Sequence, residues 1–165
     1  MRFNTALTII LFAVSFVLQG CSDSGFHLRK NLDLPVKYQR VQIDNLHQDH
    51  AFVKFFQLAL EEAGGELLES APTKIQIHNF QEGRRVVAYT SERRAREYLL
   101  FLRFEYSMQL KEKTKLARRR VNVDRTFIYD ANFALGKAEE ENQIRNNLYE
   151  EASRLMLLRL QYTLD

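Results

Sequence analysis

Apolar and polar residues alternate along this chain with two different periods. From Thr73 to Asp130 the period is two. In Tyr98–Leu110 the even positions are Tyr98, Leu100, Leu102, Phe104, Tyr106, Met108 and Leu110, whereas the odd positions from Arg103 onward are Arg103, Glu105, Ser107 and Gln109. Such alternation describes a strand with one face on a core and the other turned to water or a partner. At about 3.3 Å per residue it runs roughly 40 Å, well beyond the usual strand. Ile75–Thr90 precedes it, with a break expected near Glu82-Gly83. Leu116–Tyr129 follows, with Val121, Val123, Phe127 and Tyr129 on one face. The links Ser91–Arg94 and Glu112–Lys115 are short and polar, as hairpins require, so the three segments form an antiparallel meander. Its two turns lie at opposite ends of the middle strand. Arg118–Arg120 therefore belong beside Arg103 and Glu105, near the middle of the sheet and away from Arg93.

Outside this region the spacing changes. A short strand is expected around Tyr38–Asp44, with Val41 and Ile43 pointing one way. Residues 48–63 have helical spacing, with Phe52, Phe55, Phe56, Ala59, Leu60 and Ala63 on one side, Asp49 as N-cap and Gly64-Gly65 as the stop. That phenylalanine stripe reads as core packing. Residues 138–162 form a second helix, with Ile144, Leu148, Ala152, Leu155 and Tyr162 in a stripe widened by Tyr149 and Met156, and Glu139-Glu140-Glu141 at the positive end of its dipole. The expected class is α+β, a two-layer sandwich of two helices on one face of a mostly antiparallel four-stranded sheet with long strands.

The first twenty residues belong to neither pattern. Arg2 is followed by an apolar run from Ala6 to Leu18, then Gln19-Gly20 and the single cysteine of the chain, Cys21. The run has the length of a signal-peptide core and is short for a bilayer span. Leu18-Gln19-Gly20-Cys21 resembles the lipobox of bacterial lipoproteins, which implies lipidation of Cys21 and stable anchoring by several acyl chains. Ser22 after the cysteine resembles the outer-membrane class. The expected organisation is a signal peptide over 1–20, a lipidated terminus and polar tether over 21–36, and one domain over 37–165, on the periplasmic side of the outer membrane. The 165-residue length suits a single domain, and 45% apolar residues with a net charge of +3 exclude a disordered chain. One cysteine excludes a disulfide framework or a multi-thiolate zinc site.

Candidate chemistry is sparse. His47 and His50 straddle a strand end and a helix start, where cap and turn roles are expected. No glycine-rich phosphate loop or serine elbow occurs. Carboxylate pairs such as Glu61-Glu62 and Glu150-Glu151 fall on solvated helix faces. No catalytic group, metal or cofactor is therefore expected. Charge is more informative: residues 111–120 hold six cations against Glu112, residues 82–97 five arginines against three glutamates, and residues 138–165 three arginines against six acids. Guanidinium forks suit bidentate capture of phosphate. Nucleic acid is the usual partner of such a patch, but a periplasmic address argues against it. Lipopolysaccharide, with its lipid A phosphates, is the polyanion of that compartment.

These residues meet a known family. Gly25-Phe26-His27-Leu28-Arg29 after the cysteine, Gly64-Gly65-Glu66-Leu67-Leu68 after the first helix, Glu97-Tyr98 opening the long strand, Arg125-Thr126-Phe127, Ala134-Leu135-Gly136-Lys137 before the last helix, and Leu148-Tyr149-Glu150-Glu151-Ala152 within it resemble the LptE family in order and spacing. The chain departs from the family by inserting Ser22-Asp23-Ser24 and by lacking a long polar tail. The resemblance implies a non-enzymatic outer-membrane lipoprotein that sits inside the lumen of the LptD barrel, helps it assemble and takes part in delivering lipopolysaccharide to the cell surface. It also implies lipopolysaccharide binding near the turn before the long strand, where Arg93 and Arg94 lie, and before the last helix at Lys137. The basic strand residues Arg118, Arg119 and Arg120 complete the candidate surface. A barrel-assembly accessory or lipid carrier of another kind is the alternative, and the latter would show spare space lined by Phe55, Phe101 or Phe104. A hydrolase would need a cleft joining His50 or His78 to a carboxylate.

Overall fold

The computed structural model describes residues 32–164. The signal segment, Cys21 and the Gly25–Arg29 run lie outside the described residues. The order is a 3-10 turn Val36–Tyr38, β1 (Arg40–Asp44), α1 (Ala51–Glu62), β2 (Glu66–Leu67), β3 (Thr73–Tyr89), β4 (Ala95–Leu110), β5 (Lys113–Ile128), a 3-10 turn Ala131–Phe133 and α2 (Ala134–Leu164). The sheet has five strands in the order β2-β1-β3-β4-β5. β3, β4 and β5 form the expected antiparallel meander. β1 pairs in parallel with both β2 and β3, so the sheet is mixed and five-stranded rather than four-stranded. Parallel pairing needs a long crossover, and α1 supplies it.

β3 runs unbroken past Glu82-Gly83. Its first irregularity comes earlier, as a bulge between His78 and Gln81 with Asn79 at a φ of 52°, and the register shifts again between Val86 and Tyr89 near its end. Only Thr73–Gln76 have β1 beside them, so the rest of β3 forms an outer edge of a three-stranded extension. The β4–β5 connection is tighter than expected. Leu110 pairs with Lys113 around Lys111 and Glu112, both with positive φ, at 47° and 65°, as a two-residue type I′ turn requires.

α1 begins with His50 rather than Asp49 as its cap: His50 Nδ1 accepts the Phe52 amide at 3.2 Å. It ends as the glycine pair predicts. Gly64 N–H donates to Glu61 O at 3.0 Å and Gly65 N–H to Leu60 O at 2.8 Å, with Gly64 at a φ of 76°. α2 starts at Ala134, so Glu139–Glu141 stand in its second turn, not its first. Leu148, Tyr149, Ala152, Met156, Leu157 and Leu160 are buried along it, whereas Tyr162 is exposed.

Both helices cover the same face of the sheet, over Val41, Ile75, Ile77, Leu100, Leu102, Phe104, Tyr106, Val121 and Val123. Phe52 sits edge-on to Phe104 at 5.0 Å, and Phe80 stacks on Phe104 at 5.7 Å. Leu32 and Leu34 already pack on this core, and Leu34 N–H donates to Ala63 O at 3.2 Å. The opposite face of the sheet carries no helix among the described residues.

Candidate functional site

The register divides the candidate cations into two groups. At one end stands the β3–β4 turn, where Thr90 N–H donates to Arg94 O at 2.8 Å and Arg93 takes a φ of 62°. Glu97 pairs with Ile128, and Tyr129 N–H donates to Arg96 O at 2.7 Å, which brings the end of β5 to the same place. Asp130 then caps the 3-10 turn by accepting Asn132 N–H at 2.9 Å, and α2 begins. Arg93, Arg94 and Lys137 therefore share the tip of the sheet. The tip is held by aromatic packing: Tyr98 stacks on Phe127 at 5.8 Å and meets Tyr129 edge-on at 5.7 Å, while the Arg84 guanidinium lies 4.9 Å above the Tyr98 ring. Arg84 also reaches Glu141 at 2.7 Å, which binds Arg145 in turn at 3.0 Å, fastening α2 to β3.

The cations of the tip differ in what they touch. Lys137 is ion-paired to Glu140 at 2.6 Å. Arg85, Arg93, Arg94 and Arg96 make no ion pair among the described residues. Unpaired guanidiniums keep their full donor set and charge for an incoming anion.

The second group lies toward the other end. Glu105 pairs with Arg120, eight residues along β4 from Glu97, which sets Arg120 about 26 Å from the tip. This places Arg118–Arg120 beside Arg103 and Glu105, as the meander predicts. Arg120 reaches Glu105 at 3.1 Å and Arg118 reaches the same carboxylate at 3.9 Å. Arg103 donates to Asn122 at 3.0 Å. Arg103, Glu105, Arg120 and Asn122 line, with Asn79 and Gln81, a shallow concavity of about 480 Å³ on the open face. Arg119 lies directly opposite Tyr106 and so shares the helix-covered face, apart from its two neighbours.

His50 is spent on its cap and on edge-on contact with Phe80 at 4.8 Å. His78 Nε2 lies 3.1 Å from Ser107 Oγ on the open face. The carboxylate beside them, Glu105, is engaged by Arg118, Arg120 and Asn79, so it does not orient the imidazole as a hydrolytic site requires. Among the described residues no three His, Cys, Asp or Glu side chains gather in metal-holding geometry, and no helix is long and apolar enough to cross a membrane. Phe104 is used up in the core, Phe101 lies against Gly83, and Phe55 borders only a surface groove of about 250 Å³ between the helices.

Among curated proteins none matches the sequence significantly. Solved structures share the fold. Lipoprotein B from Nitrosomonas europaea superposes with a TM-score of 0.68 at 18% identity, covering 85% of this chain and 92% of its own. A minor lipoprotein from Acinetobacter baumannii gives 0.65 at 12%, covering 79% and 96%, and the rare lipoprotein B from Shewanella oneidensis gives 0.64 at 14%, covering 76% and 96%. The model of the lipopolysaccharide-assembly family LptE matches residues 38–160, from the turn before β1 almost to the end of α2, and the chain belongs to that family.

Proposed function

We propose that the chain is a non-enzymatic, lipid-anchored plug of an LptD-type outer-membrane barrel, tethered through Cys21 on the periplasmic side, and that its tip binds the phosphates of lipopolysaccharide. The observation that carries this reading is the set of four guanidiniums at the tip, Arg85, Arg93, Arg94 and Arg96, left without ion pairs beside Lys137. A barrel lumen is polar and water-filled. A plug for it needs a charged exterior around a closed core, and the open sheet face with its Arg103, Glu105, Arg118, Arg120 and Asn122 surface meets that need. On that face Arg118 and Arg120 share one carboxylate, so the cluster stays net positive and offers a second, weaker contact for the glycolipid. Arg119, on the helix-covered face opposite Tyr106, lies outside this contact.

Changing Arg93, Arg94 and Lys137 together to Glu should weaken lipopolysaccharide binding at least tenfold while leaving cooperative thermal unfolding in place, because Arg93 and Arg94 are exposed and the half-buried Lys137 is tied only to Glu140, one turn along its own helix. Unchanged binding rejects the site. Gentle extraction should yield the chain together with a heat-modifiable barrel; a lone monomer under those conditions favours an accessory of another kind.

A further inference from the structure

Large apolar side chains left in water are not spread evenly over the described residues. Eight stand out, and five of them lie at the tip: Val87 at 43% exposure, Tyr89 at 64%, Ile128 at 56%, Phe133 at 69% and Leu135 at 89%. Val87 and Tyr89 end β3, Ile128 ends β5, and Phe133 and Leu135 span the 3-10 turn and the start of α2. Scattered single exposures are ordinary, whereas a gathered set rimmed by charge marks a binding surface. The rim here is the set of unpaired guanidiniums already described. Apolar contact area and free cations at one end of the sheet match a ligand that joins fatty chains to phosphate. A second copy of this chain fits poorly, because two such tips would bring eight guanidiniums together.

We propose that the tip is an acyl-chain platform: Phe133, Leu135, Ile128, Val87 and Tyr89 receive the fatty chains of the same phosphorylated glycolipid whose phosphates face Arg85, Arg93, Arg94 and Arg96. This rests on the reading of the tip as the lipopolysaccharide site and adds the apolar half of that site. It also gives Leu135 a purpose. It is the most exposed large apolar side chain of the described residues, and in water alone it would be the least suitable residue for its position.

The chain contains no tryptophan, so Phe133→Trp and Leu135→Trp each introduce a single fluorescent reporter. Leu58→Trp, on α1 and away from the tip, is the comparison. The full chain in phosphatidylcholine nanodiscs is titrated with lipopolysaccharide and with the same glycolipid stripped of its acyl chains but retaining its phosphates. The tip reporters should shift to the blue with the intact glycolipid and stay unshifted with the stripped one, while Leu58→Trp shifts with neither. The double variant Phe133→Ser/Leu135→Ser should bind intact lipopolysaccharide about tenfold more weakly and the stripped form unchanged. Unshifted tip reporters with intact binding, or a double variant that binds both forms as the parent does, overturn the platform and leave the phosphate site standing. If Arg93→Glu/Arg94→Glu/Lys137→Glu binds the stripped form as well as the parent does, the site reading falls first. Self-association without glycolipid that the serine pair abolishes assigns the surface to a second copy and overturns the proposal.

Discussion

Two buried tyrosines, Tyr106 on β4 and Tyr149 on α2, differ in what their hydroxyls meet. Tyr106 is fully buried and its hydroxyl has no hydrogen-bond partner. Burial pushes its pKa up, against the opposing pull of Arg159 and Arg119. Its ring fills the core and its hydroxyl is a cost. Tyr106→Phe should therefore leave the melting temperature unchanged or raise it; a loss beyond about 1 kcal/mol in thermal unfolding speaks for an unseen partner. Tyr149, by contrast, donates to Glu82 at 2.6 Å. Burial first, and then that bond to a carboxylate, hold its pKa far above the ordinary value. The folded-state pKa is thus raised, so the stabilisation is complete below the unfolded tyrosine value of about 10 and is lost as pH rises beyond it. Denaturation followed from pH 8 to 12 should show stability falling above pH 10, less steeply in Tyr149→Phe, which should lose about 1–2 kcal/mol at neutral pH. At this scale the sequence is a partial guide. The Lys137–Glu140 pair follows from i,i+3 spacing only once α2 starts at Ala134, four residues before the helix that the sequence pattern gives. The histidine cap does not, because Asp49 is the better capping residue by type and only the backbone path sets His50 at the position.

At the scale of elements, two of the turns with positive φ are where sequence and backbone meet or conflict. The end of α1 is consistent throughout: glycine occupies the left-handed position, and Gly65 lies so close to its neighbours that a Cβ would stand 2.5 Å from Leu60 Cδ1 and 2.9 Å from Gln39 O. Gly65→Ala should cost about 1–3 kcal/mol, measured by chemical denaturation. In the β4–β5 turn Lys111 and Glu112 both bear a conformation that glycine or asparagine adopts with less strain. Lys111→Asn/Glu112→Gly should raise stability by about 1 kcal/mol in the same assay. The meander was legible because its alternation is long and its turns are polar, and the placing of Arg118–Arg120 beside Arg103 and Glu105 followed from it. β2 was not: two residues, Glu66 and Leu67, are too few to show a period. The start of α2 was hidden because Ala134–Lys137 mostly face water and show no apolar stripe. The sequence pattern puts a break in β3 near Glu82-Gly83, whereas Asn79 and Phe80 make the bulge before it and Gly83 gives room to the Phe101 ring, which a Cβ would meet at 3.2 Å.

For the whole molecule, the candidate site was legible as a list of cations but not as a place. Which guanidiniums are free and which share Glu105 depends on cross-strand register, and Val87, Tyr89, Ile128, Phe133 and Leu135 come to one end of the sheet only because β3 and β5 end and α2 begins there. Anchoring belongs to this scale too. Cys21→Ser should release the chain from membranes on fractionation, and retention in the membrane pellet speaks against the lipid anchor.

The parallel seating of β1 against Thr73–Gln76 carries a consequence for how the molecule is made. The two hairpins of the meander close between neighbours in sequence, but β1 gains its ladder only by looping back across α1, a costlier closure. The earlier-synthesised strand must wait for the later one. Changes in the β4–β5 turn should therefore alter the refolding rate, while Val41→Ala should mainly quicken unfolding. Stopped-flow measurements that reverse this assignment would put the nucleus at the N-terminal side instead.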